Sequence, residues 1–281
     1  MKKEGKKSRK VRPGRVGLYI FLIIWAVFQL FPLYWLFTFS LKSNKEIFGG
    51  NILGFPEVWH WENYATVFTQ GHIYRYMLNS LFVATVTIIL TGLLASMASY
   101  AIVRLTWKLS NFAYMLFLTG MMLSMQAVLL PLYINLRSIR DTLWSLIIPY
   151  TAFNLPMAIL LISGNLRTIP REMEEAAFID GASVYRLFFQ IILPLLKPIL
   201  STVAILNFLD AWNELMFAQT FINSEKLMTI TVGVNNMIGK YRTKWGLIGA
   251  GLTFATIPII ILYMFLSRNI QESLAIGAVK G

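Results

Sequence analysis

Six apolar runs alternate along this chain with shorter stretches that hold most of its charge: Val16 to Ser40, Met77 to Tyr100, Asn111 to Ile134, Leu143 to Ser163, Pro198 to Ile222 and Leu247 to Leu266. Each is about as long as the roughly 20 residues an α-helix needs to cross a hydrocarbon core. The pattern predicts an all-α polytopic membrane protein with six transmembrane helices. The first run is longer than the apolar core of a secretory signal and has no small-residue cleavage site after it, so it reads as a retained span. Pro149 and Pro156 interrupt the fourth run, which neighbouring helices or a cavity must accommodate. Met115, Met121, Met122 and Met125 give the third run adaptable packing, with Gln126 toward its outer half. No long-range repeat and no linker divides the chain. The expected organisation is a basic N-terminus (1–15), one membrane domain (16–266) and a short amphipathic tail (267–281).

The polar stretches differ in kind. Leu41 to Tyr76 mixes Gly49, Gly50 and Pro56 with Trp59, Trp61 and Tyr64, aromatics suited to the headgroup level, and reads as an external loop lying partly on the interface. Asn223 to Gly246 reads as a 24-residue outer loop. Gly164 to Lys197 instead carries a helical pattern of its own. Pro170 suits a first helical position, and Glu172, Glu174 and Glu175 put negative charge on the first turn. Asp180-Gly181 supplies a stop, because glycine accepts the left-handed conformation that closes helices, and Ser183 caps a second helix. Val184, Leu187, Phe188, Ile191 and Ile192 follow on one face until Pro194 ends the pattern. The stretch therefore reads as a helical elbow between two spans.

Composition agrees: 57% of the 281 residues are hydrophobic and 14% charged, too apolar for an ordinary soluble domain. The net charge of +12 follows the membrane layout rather than a nucleic-acid-binding face. With both termini and the elbow on the cytoplasmic side, 16 basic residues lie inside and 9 outside, in line with the positive-inside rule. The last outer loop, with Lys226, Lys240, Arg242 and Lys244, is the part that fits this layout least well. There is no cysteine, which excludes disulfides and thiolate chemistry. His60 and His72 lack metal-ligand spacing, and no phosphate-binding loop or catalytic triad is present. No catalytic centre and no cofactor of its own are expected from these residues.

Polar groups inside spans are costly and default to functional hypotheses. Asn207, Asp210 and Glu214, spaced i, i+3 and i+7 in the fifth run, share one helix face beside Trp212 and Asn213, and Asn154 of the fourth run is placed to face the same space. Amides and carboxylates beside an indole suit a hydroxyl-rich substrate. Hydrogen bonding between helices, or to a partner subunit, is the alternative use of the same groups.

Glu175-Ala176-Ala177, then Gly181 after three residues, and Ile191 to Pro194 after nine more, resemble the EAA loop of the membrane subunits of bacterial ABC importers. Around it, Pro170 to Ser183, Asp210 to Glu214 and the ending Gly277 to Gly281 resemble the carbohydrate branch, in the MalG-like half of the permease pair. The likeness extends from Val16 onward. Ser267-Arg268-Asn269 departs from the usual run before the tail. The resemblance implies a type I importer permease fold in the bacterial inner membrane. It implies that Glu175, Ala176, Ala177, Gly181, Ile191, Leu193 and Pro194 form the ATPase-coupling segment, with Ala176, Ala177 and Gly181 allowing close approach. It also implies a homologous second permease, two ABC ATPases that carry the ATP and magnesium, and an extracytoplasmic sugar-binding protein meeting the loop from Asn223 to Gly246. Substrate then passes by alternating access. An importer for another solute, or an ion-coupled secondary transporter using Asp210 or Glu214, is the rival reading.

Overall fold

The computed structural model describes residues 13–105, 107–240 and 243–278, with side chains described from 17 to 265 apart from 106 and 240–242. The basic cluster up to Arg12, Arg242 of the last loop and the final Val279 to Gly281 lie outside the described residues. Within them the chain is helical, with no strand.

Helix α1 (Pro13–Ser40) is apolar along its length and carries no charged side chain between Gly17 and Ser40. Two short helices, α2 (Asn44–Phe48) and α3 (Glu62–Thr69), lead into α4 (Ile73–Val103), a helix of 31 residues. Next come α5 (Ser110–Gly120), α6 (Leu129–Asn135) and α7 (Trp144–Leu166). Pro149 and Pro156 are contained within α7, which stays helical through both and buries them. The elbow comprises α8 (Glu172–Ile179), α9 (Val184–Leu187), a π-helical turn (Phe188–Ile192) and α10 (Leu193–Leu195). Helices α11 (Lys197–Asn213), α12 (Met216–Phe221), α13 (Ile230–Asn235) and the kinked α14 (Met237–Lys240) lead to α15 (Trp245–Ala278).

Four of the described helices are long and apolar enough to cross a membrane, and the pair Val184–Leu195 and Lys197–Asn213, bent by 72°, makes a fifth when counted as one span. This is a multi-pass membrane protein. The third expected span is not one helix: α5 stops at Gly120, and Met121 to Met125 turn before the chain resumes in a 3-10 turn at Gln126–Val128 and in α6. The fifth breaks at Glu214, whose extended backbone separates α11 from α12. Pro194 does not end the elbow's second helix. It falls after the π turn, at the start of α10, where a missing N–H costs little, and the bend comes at Leu196. The sixth span and the tail as far as Ala278 form one helix, α15.

The ends of α4 sort the connections. Near its start, Asn79 Nδ2 donates to the carbonyls of Lys226 and Met228 at 2.9 and 3.0 Å, and Ser80 Oγ accepts from Ile230 N–H at 2.8 Å. The expected outer loop from Asn223 is thus largely folded: Ile230, Val232, Val234 and Met237 are buried in the main core, and Gly233 lies against the Tyr76 ring. Asp141 joins the same end by accepting from Asn223 and Ser224 N–H. So does the first loop, where Asn44 bonds the backbone of Thr243 and Trp245. Lys42, 1% exposed, donates to the carbonyls of Asn51, Ile52 and Gly54 and so folds the following segment around its ammonium. The far end of α4, at Arg104, meets the elbow.

Candidate functional site

Local sequence builds the elbow as a helix-turn-helix. Helix α8 begins two residues after Pro170, with Arg171 as its N-cap, so Pro170 stands before the helix rather than in its first turn. It closes in a Schellman motif: Gly181 has φ +76°, its N–H bonds the Phe178 carbonyl at 3.0 Å, and Ala182 N–H reaches the Ala177 carbonyl at 2.9 Å. Ser183 Oγ then accepts from Arg186 N–H and starts α9. Leu187, Phe188 and Ile192 are buried and Ile191 half-buried, whereas Val184 is exposed.

Two acids of α8 have opposite fates. Glu174 is buried, its Oε1 2.7 Å from Arg104 Nε, and the same guanidinium donates to the carbonyls of Leu166 and Ile169 at 2.9 and 2.6 Å. Arg104 thereby ties the ends of α4 and α7 to the elbow. Burial pushes the Glu174 carboxyl above its usual range, against the pull of Arg104 and Arg171. Glu175 and Ala176 are exposed, Ala177 is buried, and the elbow's tip presents Phe178, Ile179 (86% exposed) and Tyr185 (78% exposed). An apolar tip with an acid beside it, held on a braced segment, is shaped for docking a protein. Leu193 and Pro194 line a separate apolar groove of about 740 Å³ between α4 and the bend, together with Ile88, Phe189 and Lys197.

The polar residues of the fifth span divide. Asn207 is 3% exposed and faces the interior, while Asp210, Asn213 and Glu214 line an open cleft of about 360 Å³ with Gln126 and Met216. They do not form one helix face, because α11 ends at Asn213 and Glu214 lies beyond it. The Glu214 carboxylate accepts from Phe217 N–H, Ala218 N–H and the Tyr150 hydroxyl at 2.9, 3.1 and 2.5 Å, so it caps the break instead of standing free. Trp212 is 1% exposed. It stacks on Phe208 with centroids 5.2 Å apart and donates Nε1 to the Ala255 carbonyl, which makes it the floor of a neighbouring cleft rather than a platform. That cleft adds Thr231, Asn235 and Thr256, and Asn213 lies between the two. Asn154 is buried, bonded to its own helix at Tyr150, and lines neither. Sequence reasoning missed Arg104, Tyr150 and Asn235; a basic residue at a span end and a tyrosine inside one are too common to be distinctive.

Residues 88–276 match the family described as binding-protein-dependent transport system inner membrane component. Among curated proteins, the chain is 37% identical over 278 residues to a probable ABC transporter permease protein, YurM, of Bacillus subtilis, covering 98% of this chain and 92% of the relative. It is 33% identical over 258 residues to the trehalose transport system permease protein SugB of Mycobacterium tuberculosis, covering 90% and 93%. Among solved structures, a chain of a bacterial ABC transporter involved in the import of the acidic polysaccharide alginate superposes with a TM-score of 0.76 at 21% identity, over 94% of this chain and 99% of that one. A chain whose described residues form a helical membrane bundle with a braced elbow and an exposed elbow tip, aligned almost end to end with ABC permeases, is thus a member of the binding-protein-dependent transport system inner membrane component family.

Proposed function

We propose that this chain is one of two related permease subunits of an ATP-driven carbohydrate importer in the bacterial inner membrane. Its elbow docks on an ABC ATPase and its opposite end receives a sugar-binding protein. The observation that carries this reading is the elbow tip: Phe178, Ile179 and Tyr185 stand exposed beside Glu175 on a segment that Arg104 fastens to α4 and α7. In this reading the chain crosses the membrane six times with both ends in the cytoplasm, the broken stretch from Ser110 to Asn135 being the third crossing and α11 with α12 the fifth. ATP and magnesium belong to the ATPases, and substrate moves by alternating access. A carbohydrate is favoured by the cleft around Asp210, Asn213 and Gln126, where amide and carboxylate groups pair with hydroxyls, and by the kinship with a trehalose permease.

Mild-detergent purification of the tagged chain from its own cells tests the assembly. The expected co-purified proteins are a related permease and a pair of ABC ATPases, the ATPases being lost when Ile179 and Tyr185 are changed to Asp. The co-purified binding protein is then screened for its sugar. A chain recovered alone, whose uptake follows an ion gradient and ignores ATP depletion, overturns the reading in favour of an ion-coupled transporter working through Asp210.

A further inference from the structure

Helix α4 is held at both ends by side chains outside the elbow's own signature. At one end the Arg104 guanidinium, its side chain 5% exposed, joins Glu174 and the carbonyls of Leu166 and Ile169. At the other, Asn79 Nδ2 grips the carbonyls of Lys226 and Met228, the segment that faces away from the elbow. From Asn79 to Arg104 the chain is a single helix to Val103, so the two grips are about 37 Å apart at 1.5 Å per residue. No proline interrupts α4, which packs along α7 and α11, and Ser99 Oγ donates to the Ile159 carbonyl of α7. A helix so packed transmits displacement along its axis without bending.

We propose that α4 is the element that links the two docking faces, with Arg104 and Asn79 as positioning residues. Arg104 converts movement of the elbow into movement of α4, and Asn79 passes it to the Lys226–Met228 segment, so that an event on either face is felt at the other. This rests on the importer reading for the identity of the two partners, but not for the mechanical link itself. The pair Arg104–Glu174 is distinct from Glu175, which points outward.

Two experiments separate the link from the importer reading. In the purified chain alone, which has no native cysteine, spin labels at I179C on the elbow and F82C on α4, both exposed positions, report the distance distribution between them. It is expected to be narrow in the otherwise native chain, to broaden at least twofold in Glu174→Gln, and to stay narrow in Glu175→Gln, whose side chain is exposed. An unchanged width in Glu174→Gln overturns the link whatever the partners are. In the reconstituted complex, stimulation of ATP hydrolysis by the sugar-loaded binding protein is the second readout. Glu174→Gln and Asn79→Ala are each expected to keep basal hydrolysis within twofold and lose stimulation at least tenfold, and the double variant to be no worse than either single. Losses that multiply in the double variant, or single variants that stimulate normally, refute transmission through α4. Single variants that fail to assemble with the ATPase assign the pair a structural role and equally refute it. Absence of stimulation in the unaltered complex fails the importer reading and leaves the label distances to decide the link.

Discussion

Gly181 is where local backbone chemistry and assembly can be told apart. Its φ of +76° costs an L-residue roughly 1–2 kcal/mol relative to glycine, and asparagine less, because its side chain bonds locally. A Cβ built there meets nothing within 4 Å, so the isolated chain has room for an alanine methyl. The whole intrinsic cost of Gly181→Ala is therefore conformational, and it falls on the Schellman closure made by Gly181 N–H to Phe178 and Ala182 N–H to Ala177. Amide exchange of the elbow in the purified chain reads that cost directly. About 1–2 kcal/mol corresponds to local opening that is roughly 5 to 30 times more populated. Gly181→Ala is expected to speed exchange by that factor and Gly181→Asn by less. Exchange in the alanine variant as slow as in the native chain, or slower than in the asparagine variant, would refute the reasoning. Uptake adds a second ordering. If elbow stability governs coupling, uptake runs Gly, then Asn, then Ala; if a partner approaches closely, it follows side-chain volume, and Gly181→Asp leaves an inserted protein without uptake.

Three more outcomes are expected. Gly233→Ala places a Cβ 2.1 Å from the Tyr76 ring and should lower the thermal midpoint in detergent by the equivalent of about 1–3 kcal/mol of overpacking; a native midpoint would mean that Tyr76 can move aside. Lys42→Met strips the carbonyls of Asn51, Ile52 and Gly54 of their shared ammonium, a loss of about 1–3 kcal/mol, and limited proteolysis between residues 49 and 58 should accelerate, whereas unchanged cleavage would show that the segment folds without it. The raised Glu174 carboxyl holds its proton to higher pH in the folded chain than in the unfolded one, so its contribution to stability is complete below the ordinary value of 4.5 and is lost as pH rises through the raised value. Glu174→Gln should flatten that part of the stability profile, and an identical profile would assign the slope to another group.

The elbow was legible because its signals are local. Gly181 and Ser183 act through their own backbone and nearest neighbours, and both hold their expected conformations. The apolar runs were legible as membrane helices for the same reason: length and polarity are properties of the run itself. The breaks were not. The polar groups around Glu214 read as one face of an unbroken helix, and what parts α11 from α12 is a carboxylate turning to cap Phe217 and Ala218 while Tyr150 holds it from another helix. Nor does the apolar run through Met121 to Met125 show where the backbone leaves the helix. The segment after Asn223 did carry a signal, the apolar Ile230, Val232 and Val234, all buried in the core. Its length between two apolar runs made it read as an outer loop, whereas Asn79, Ser80 and Asp141 hold part of it against the ends of α4 and α7.

The same contrast between continuous and broken helices bears on how the bundle moves. Helices α4 and α7 pack against each other, both bury small residues, Ala84, Thr87, Thr91, Ala95, Ser96 and Ser99 in α4 and Ala158 and Ser163 in α7, and Ser99 Oγ donates across to the Ile159 carbonyl. Small residues let backbones approach closely, and close approach makes the pair stiff. The departures from regular helix gather around that pair: the turn at Met121 to Met125, the bend at Leu196 beneath a π turn, and the break at Glu214. Two of the three touch the cleft that holds Asp210, since Gln126 follows the first and Glu214 makes the last. A packed pair fastened to the elbow through Arg104 thus stands beside a cleft whose walls end in helix breaks, at Gln126 and at Glu214.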